Sequence, residues 1–133
     1  MRAILVDDEP LALRRLRQML ECVVGGVEVV EMCTDPSQAV DLTAKLRPDV
    51  AFLDIHMPRV NGLQLGEQLQ AAVPGTEIVY VTGYDRHAVN SFKLNALDYI
   101  LKPVQVDRLQ QTVQRLRGKL QANEEIGRNP QRH

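Results

Sequence analysis

The sequence predicts a single α/β domain in which a five-stranded parallel sheet lies between layers of helices. Short apolar runs alternate with amphipathic segments along most of the chain, and five strand–helix units in that order are typical of parallel sheets with crossover helices. Several runs are apolar at every position, as expected for strands that are buried on both faces. The chain has 133 residues, of which 44% are hydrophobic. It is therefore long enough to bury a core but too short for two domains of ordinary size.

The first strand–helix units are indicated by the spacing of their apolar residues. Residues 3–6 form a continuous apolar run that ends at two aspartates, as in a central strand. Pro10 suits the first turn of a helix, and an apolar stripe continues that helix until Gly25-Gly26 breaks it. The β-branched, alternating residues 27–33 predict the second strand, and Asp35-Pro36 cap a second helix. The stripe on the first helix comprises Leu11, Leu13, Leu16, Met19 and Leu20.

The same alternation continues through the second half of the chain. The second helix ends before Pro48, and the apolar run 50–53 predicts a third strand that ends at Asp54. Residues 58–62 have the composition of a loop, and a third helix then extends to Pro74-Gly75. The remaining predicted elements are a strand at 78–81, a helix from Asp85 to Asn95, a short strand at 98–101 and a last helix capped by Asp107.

Two helix surfaces allow more than one interpretation. The last helix has apolar residues in two heptads, fewer than the three or four that indicate a coiled coil. We expect this last helix to dock on the sheet. The alternative is that the same helix also takes part in a dimer. Three arginines in the first helix predict a solvated basic face, with contact to a partner protein as the alternative. The residues concerned are Val106, Leu109, Val113, Leu116 and Leu120 in the last helix, and Arg14, Arg15 and Arg17 in the first.

Charge and cysteine content argue against several classes of function. Sixteen basic and seventeen acidic residues give a formal net charge of −1, whereas a nucleic-acid module usually carries a strong basic excess. No apolar stretch approaches the ~20 residues of a membrane span. The apolar run at the N-terminus is too short for a signal peptide, so we expect a cytoplasmic protein without a membrane partner. Cys22 and Cys33 predict reduced thiols that pack as small apolar groups.

The first polar residues after the apolar runs predict a site. Asp7 and Asp8 follow the first strand, Asp54 the third, Thr82 the fourth and Lys102 the fifth. The carboxyl ends of parallel strands share one edge of a sheet, where ligands bind. Three carboxylates brought together repel one another unless a cation intervenes, and oxygen ligands suit Mg²⁺. A remaining carboxylate can attack phosphorus and hold an acyl phosphate, so this edge predicts a phosphoryl acceptor with a metal ion.

The motifs at this edge resemble those of the receiver domain of two-component response regulators. The resemblance covers about residues 1–120, and it implies a flavodoxin-like, three-layer sandwich with five helices and strand order 2-1-3-4-5. We expect the receiver domain at 1–121 and a polar tail or linker start at 122–133. The motifs are Val6-Asp7-Asp8-Glu9-Pro10, Leu53-Asp54-Ile55-His56-Met57-Pro58, Val60-Asn61-Gly62, Val81-Thr82-Gly83 and Asp98-Tyr99-Ile100-Leu101-Lys102-Pro103.

The resemblance implies how a phosphoryl group and Mg²⁺ would be held. Asp54 would accept the phosphoryl group from a sensor histidine kinase and would also ligate the metal. Asp8 would bind Mg²⁺ directly and Asp7 mainly through water. His56 would contribute only its backbone carbonyl. Lys102 would pair with the phosphoryl group, and its peptide bond to the following proline would be cis.

The resemblance also implies a switch. Thr82 would move its hydroxyl toward the phosphoryl group, and the ring of Tyr99 would turn inward. The backbone amide of Gly83 would contact the phosphoryl group. His56 and Tyr84 occupy positions that tune water attack on the acyl phosphate in this family. Both are bulky, which predicts slow self-hydrolysis.

The resemblance further implies partners. Phosphorylation would switch a surface formed by the fourth helix, the fifth strand and the fifth helix, through which the protein would form a homodimer. The runs 83–88 and 95–99 resemble the subgroup that often carries a LytTR-type DNA-binding domain, which implies control of transcription. Contact with nucleic acid would require an output domain that these residues do not contain.

Three rival functions are weighed against this interpretation. A Mg²⁺-dependent phosphatase with an aspartyl intermediate generally has its two acids two residues apart after the first strand, whereas Asp7 and Asp8 are adjacent. A nucleotide-binding module would have a glycine-rich loop there, and none follows the first strand. A receiver-like interaction domain that is never phosphorylated would not need the complete acceptor set. We therefore expect a signalling domain that catalyses only its own phosphoryl transfer and hydrolysis.

Overall fold

The computed structural model describes residues 1–83 and 96–128, which form a five-stranded parallel sheet covered by helices. The strands of this sheet are β1 (Arg2–Val6), β2 (Glu28–Cys33), β3 (Val50–Leu53), β6 (Glu77–Thr82) and β7 (Asp98–Leu101), and a separate antiparallel hairpin comprises β4 (His56–Met57) and β5 (Val60–Asn61). The order of the large sheet is β2-β1-β3-β6-β7. Because β6 and β7 are its fourth and fifth strands, the predicted order 2-1-3-4-5 is confirmed.

The helices follow the predicted alternation. Their bounds are α1 (Pro10–Gln18), a π-helical continuation of α1 (Met19–Val24), a 3-10 turn (Pro36–Gln38), α2 (Ala39–Leu46), α3 (Gly62–Ala72) and α4 (Val106–Arg128). Helix α4 is the predicted last helix, and it continues seven residues beyond the expected domain boundary at 121. The predicted helix from Asp85 to Asn95 lies outside the described residues. None of the helices in the described part is both long and apolar enough to cross a bilayer.

The sheet separates two apolar clusters, which gives the domain its three layers. Alternate residues of β1 point to opposite sides, so Leu5 packs with α1 and α4 while Val6 packs with α2 and α3. Leu109, Val113 and Leu116 of α4 are fully buried in the first cluster. The expectation that the last helix docks on the sheet is therefore confirmed. The side chains of Arg14, Arg15 and Arg17 are exposed on α1.

Several local predictions were wrong. Residues 58–62 were expected to form a loop, but Val60 and Asn61 pair with Met57 and His56 in the hairpin. Gly62 is already the first residue of α3, and its N–H donates to the carbonyl of Ile55 at 2.9 Å.

Three further corrections concern exposure and helix ends. Leu11 was placed on the apolar stripe of the first helix but is 65% exposed. Cys22 was expected to pack internally but is exposed on the π-helical turn, whereas Cys33 is buried. Asp107 lies inside the first turn of α4 instead of preceding it, because that helix begins at Val106.

Candidate functional site

The sheet brings two predicted site residues together at neighbouring strand ends. Val6 and Leu53 are paired in parallel register at the ends of β1 and β3. The next residue of each strand is an aspartate, and the N–H of Asp54 donates to the carbonyl of Val6 at 3.0 Å. Asp7 and Asp54 therefore leave the sheet side by side, as the sequence predicted.

Three carboxylates form a compact acidic cluster at this edge. Asp7, Asp8 and Asp54 each offer an oxygen, and these oxygens lie within 4.8 Å of one another. Asp7 and Asp54 are buried and Asp8 is half-buried. Like charges at this spacing disfavour simultaneous ionisation unless a cation neutralises them.

Lys102 links the two buried aspartates. Its Nζ lies 2.8 Å from Oδ2 of Asp7 and 3.4 Å from Oδ2 of Asp54. The other oxygen of each carboxylate accepts a hydrogen bond from the backbone N–H two residues later, from Glu9 at 3.0 Å and from His56 at 3.2 Å. Each aspartate is thus oriented by its own turn, with one oxygen directed toward the ammonium group.

The backbone places Lys102 across the sheet from these acids. Its N–H donates to the carbonyl of Thr82 at 2.9 Å, which extends the pairing of β6 and β7 by one residue. The peptide bond between Lys102 and Pro103 is cis, as the resemblance implied.

The pKa values of Asp54 and Lys102 are both raised at the site. Burial raises the pKa of Asp54, and the charge of Asp7 adds to that rise, while Lys102 and the His56 N–H oppose it. Burial alone would lower the pKa of Lys102, but hydrogen bonds and charges from Asp7 and Asp54 outweigh it and leave that pKa raised. Counted as formal charges, the site brings three carboxylates together with the ammonium group of Lys102.

The donor set fits a hard divalent cation. All the side-chain groups of the cluster are carboxylates, and oxygen ligands with excess negative charge are what Mg²⁺ and Ca²⁺ prefer in proteins. A bound cation would offset the repulsion among these carboxylates and favour the ionised form of Asp54. Asp7, Asp8 and Asp54 are therefore the residues that could hold such an ion.

A close approach of α3 fixes the backbone beneath Asp54. A Cβ on Gly62 would overlap the carbonyl oxygen of Asp54 and press on the Cα of Ile55. Only glycine permits this contact. Asn61 caps the same helix, since its Oδ1 accepts a hydrogen bond from the N–H of Leu63 at 2.9 Å. The Asn61-Gly62 pair thus supports the acidic loop without contributing a ligand.

The remaining predicted residues lie around this edge in different environments. Thr82 is buried at the end of β6, and Gly83 next to it is exposed. Tyr99 of β7 is half-buried. The side chain of His56 is exposed, and Tyr84 lies outside the described residues.

An open cleft gives access to the acidic cluster from the side of α1. It has a volume of about 760 Å³ and extends from Asp54 and Lys102 along α1 to Met19. Leu11 lines this cleft, which accounts for its exposure. Arg15 and Val104 also line it, so its wall is partly apolar and partly basic.

A second buried carboxylate network surrounds Asp98 and was not predicted from the sequence. The guanidinium group of Arg108 donates hydrogen bonds to both carboxylate oxygens of Asp98, at 2.7 and 2.9 Å. The hydroxyl of Thr112 donates to Oδ2 of Asp98 at 2.7 Å. The N–H of Tyr99 donates to Oδ1 at 2.9 Å, and Arg115 lies 3.3 Å from the same oxygen. Burial alone would raise the pKa of Asp98, but these donors lower it to about 2. The available signal was the spacing of 108, 112 and 115, which places basic and hydroxyl groups on one face of α4.

Comparison with known proteins agrees with this geometry. The response regulator receiver domain family matches residues 3–114. A response regulatory protein of Yersinia pestis is 44% identical over 117 residues, which are 87% of this chain and 48% of that protein. The transcriptional regulatory protein BtsR of Salmonella typhi is 41% identical over 116 residues, with the same two shares. The chain thus spans about half the length of the curated relatives it matches.

A solved structure shows the same architecture. The response regulatory domain of mrkE from Klebsiella pneumoniae superposes with a TM-score of 0.80 at 31% sequence identity, covering 92% of this chain and 99% of that one. With strand order, site geometry and sequence in agreement, this chain belongs to the response regulator receiver domain family.

Proposed function

We propose that this chain is the phosphoacceptor of a two-component system and that Asp54 takes a phosphoryl group from a sensor histidine kinase with Mg²⁺. The observation that carries the proposal is the position of the Lys102 ammonium group between Asp7 and Asp54. This lysine lies beside the nucleophile where the charge of a phosphoryl group would arrive. The raised pKa of Asp54 also favours a role in which its charge is neutralised.

The acidic cluster would hold the metal. In this proposal Asp8 and Asp54 ligate Mg²⁺ directly, Asp7 does so mainly through water, and His56 adds its backbone carbonyl. When bound, Mg²⁺ would supply positive charge that neutralises the oxygens of the incoming phosphoryl group.

Phosphoryl transfer then requires mainly positioning from the protein. A carboxylate oxygen of Asp54 attacks phosphorus, and the bond to the donor breaks as the new O–P bond forms. The N–H of His56 orients the attacking carboxylate, and Lys102 pairs with the transferred group. The hydroxyl of Thr82 and the amide of Gly83 would donate to phosphoryl oxygens. The domain is not an enzyme with a separate substrate, since it modifies only itself.

The phosphorylated state would be transmitted through a switch. Thr82 would move toward the phosphoryl group and Tyr99 would follow it inward, changing the surface formed by β7, α4 and the predicted helix at 85–95. That surface would mediate homodimer formation. His56 and Tyr84 would slow hydrolysis of the acyl phosphate.

The output would be control of transcription through a domain outside these residues. BtsR, which matches this chain over 48% of its own length, is described as a transcriptional regulatory protein. The LytTR-type subgroup is the output class that we propose.

Incubation with acetyl phosphate, followed by intact-protein mass measurement, tests the acceptor assignment. We expect one phosphoryl group on the wild-type chain in the presence of Mg²⁺ and none when Mg²⁺ is chelated. Asp54→Asn should abolish the modification because the nucleophile is lost. The matched control is Asp41→Asn on the exposed face of α2, which should be modified like wild type. Undiminished modification of Asp54→Asn would contradict the proposal.

A further inference from the structure

A buried tyrosine lies directly beneath the proposed switch residue. Tyr80 and Tyr99 are register partners on β6 and β7, and their rings stack with centroids 5.6 Å apart and planes at 18°. Tyr80 is 2% exposed, whereas Tyr99 is half-buried. The Tyr80 ring therefore covers one face of the more exposed Tyr99 ring.

Helix α3 fixes the position of the inner ring. The hydroxyl of Tyr80 donates to the carbonyl of Leu63 at 3.3 Å. A Cβ on Gly66 would overlap that same hydroxyl. The missing side chain at Gly66 thus creates the space that the ring occupies, and the ring has little freedom to move elsewhere.

The same strand carries the other half of the switch. Tyr80 and Thr82 are two residues apart on β6, so their side chains point to the same face of the sheet. Leu53, which precedes Asp54, pairs with Tyr80 on the opposite side. A row of residues therefore connects the phosphoacceptor strand to Tyr99 through Tyr80.

We propose that Tyr80 is a positioning residue of the switch: it provides the aromatic surface on which the Tyr99 ring stacks in this structure, an arrangement that we assign to the inward position of the ring. This inference rests on the proposed switch role of Thr82 and Tyr99. An aromatic pair in this geometry favours the packed arrangement by roughly two- to tenfold over a non-aromatic neighbour. Tyr80 thereby sets how much of the inward state exists before phosphorylation and how strongly phosphorylation must bias it.

Fluorine NMR of the chain labelled with 3-fluorotyrosine tests the proposal. Its three tyrosines give three resonances, which Tyr99→Phe and Tyr84→Phe assign. The solvent isotope shift of the Tyr99 resonance reports ring exposure with and without beryllofluoride and Mg²⁺. We expect Tyr80→Leu to move the ratio of inward to outward ring roughly two- to tenfold toward the outward state. Tyr80→Phe keeps the ring and should leave the Tyr99 resonance as in wild type.

Two further variants separate positioning from general loss of packing. Val79→Ala removes a buried group from the same strand on the opposite face of the sheet and should not change Tyr99 exposure. Gly66→Ala should displace Tyr80 and expose Tyr99, and adding Tyr80→Phe should restore at least part of the inward state because it removes the clashing hydroxyl. Gly66→Ala, alone and combined with Tyr80→Phe, tests the positioning role even if Tyr80→Leu does not fold.

The outcomes distinguish this inference from the proposed function. If beryllofluoride changes the solvent exposure of the Tyr99 ring equally in wild type and in Tyr80→Leu, and both proteins start from the same exposure, the positioning role is refuted. Equal effects of Val79→Ala and Tyr80→Leu would refute it as well. If wild type shows no response and no phosphorylation while Tyr80→Leu still exposes Tyr99, the proposed function fails but the packing role of Tyr80 stands.

Discussion

Two buried aspartates in this domain have nearly the same exposure and opposite pKa shifts. Asp54 is 7% exposed and Asp98 is 6% exposed. The pKa of Asp54 is raised, principally by burial. Burial acts on Asp98 in the same direction, but hydrogen bonds from Arg108 and Thr112 lower its pKa to about 2.

The difference comes from the hydrogen-bond donors around each carboxylate. Asp98 accepts four hydrogen bonds of 2.7–2.9 Å, two of them from a single guanidinium group. The contacts to Asp54 are longer, 3.2 Å from the His56 N–H and 3.4 Å from Lys102. A carboxylate whose donors are complete is stabilised as an anion and serves the fold. Asp54, whose hydrogen bonds within the described residues are longer and which lies beside other acids, is suited to bind a cation or to react.

Breaking the Asp98 network should have the largest effect on stability. Arg108→Met keeps the length of the side chain but leaves the buried carboxylate without its bidentate partner. We expect a loss of about 3 kcal/mol in the free energy of unfolding, at the low end for a broken buried ion pair because Arg115 remains nearby. Urea unfolding of both proteins measures it. Arg115→Met is the matched control and should cost less than about 1 kcal/mol, since its side chain is 60% exposed.

The low pKa of Asp98 predicts a stability loss in acid. An acid whose pKa is depressed on folding stabilises the protein above its unfolded pKa, and the contribution is lost as pH falls through the folded value. For Asp98, a shift from 3.8 to about 2 gives roughly 2 kcal/mol, lost as the pH falls from about 4 to 2. Asp98→Asn should be less stable than wild type at neutral pH, and the gap should close near pH 2. A constant gap across that range would contradict the assignment.

Mg²⁺ should stabilise the protein through the acidic cluster and not through Asp98. At a concentration ten times its dissociation constant, an ion that binds only the folded state adds about 1.4 kcal/mol. Denaturant unfolding with and without Mg²⁺ measures this increment. It should persist in Arg108→Met and disappear in Asp8→Asn. If Mg²⁺ still stabilises Asp8→Asn by the same amount, the ion binds at another site.

The smallest expected effect is a gain in the free energy of unfolding when Asp54 is replaced. Asp54→Asn retains an acceptor for the His56 N–H and removes a carboxylate whose ionised form is disfavoured by burial and by Asp7, so without Mg²⁺ we expect about 0.5–1 kcal/mol of added stability. The same substitution at Asp98 should destabilise. If the two substitutions change the free energy of unfolding in the same direction, the contrast between the two carboxylates is wrong.

The sequence sufficed for the parts of the fold that depend on chain order and on strand ends. Apolar runs such as 50–53 stop where the sheet stops, so the next polar residue necessarily lies at the edge. Parallel topology then places Asp7, Asp54 and Lys102 at the same edge, and the strand order implied by the family resemblance predicts that they lie close together. Local rules also predicted Pro10 in the first turn of α1 and the Asp35 cap of the following turn, both of which the structure contains.

What the sequence could not supply depends on how elements are rotated and packed. The Asp98 network requires the face of α4 that carries Arg108 to turn toward β7, and helical periodicity alone does not fix that rotation. The stacking of Tyr80 and Tyr99 depends on the register between β6 and β7 and on the orientation of both rings. The hairpin at 56–61 has only two residues in each strand, too few to produce a periodic pattern.

The most direct test of the account is to locate the phosphoryl group on the chain. Borohydride reduces an aspartyl phosphate to an alcohol and leaves free carboxylates unchanged, and peptide mass spectrometry then identifies the reduced position. After treatment with acetyl phosphate and Mg²⁺, reduction should occur at Asp54 and not at Asp98, whose donors are complete. Reduction at Asp98, Asp7 or Asp8 with none at Asp54 would contradict the central claim.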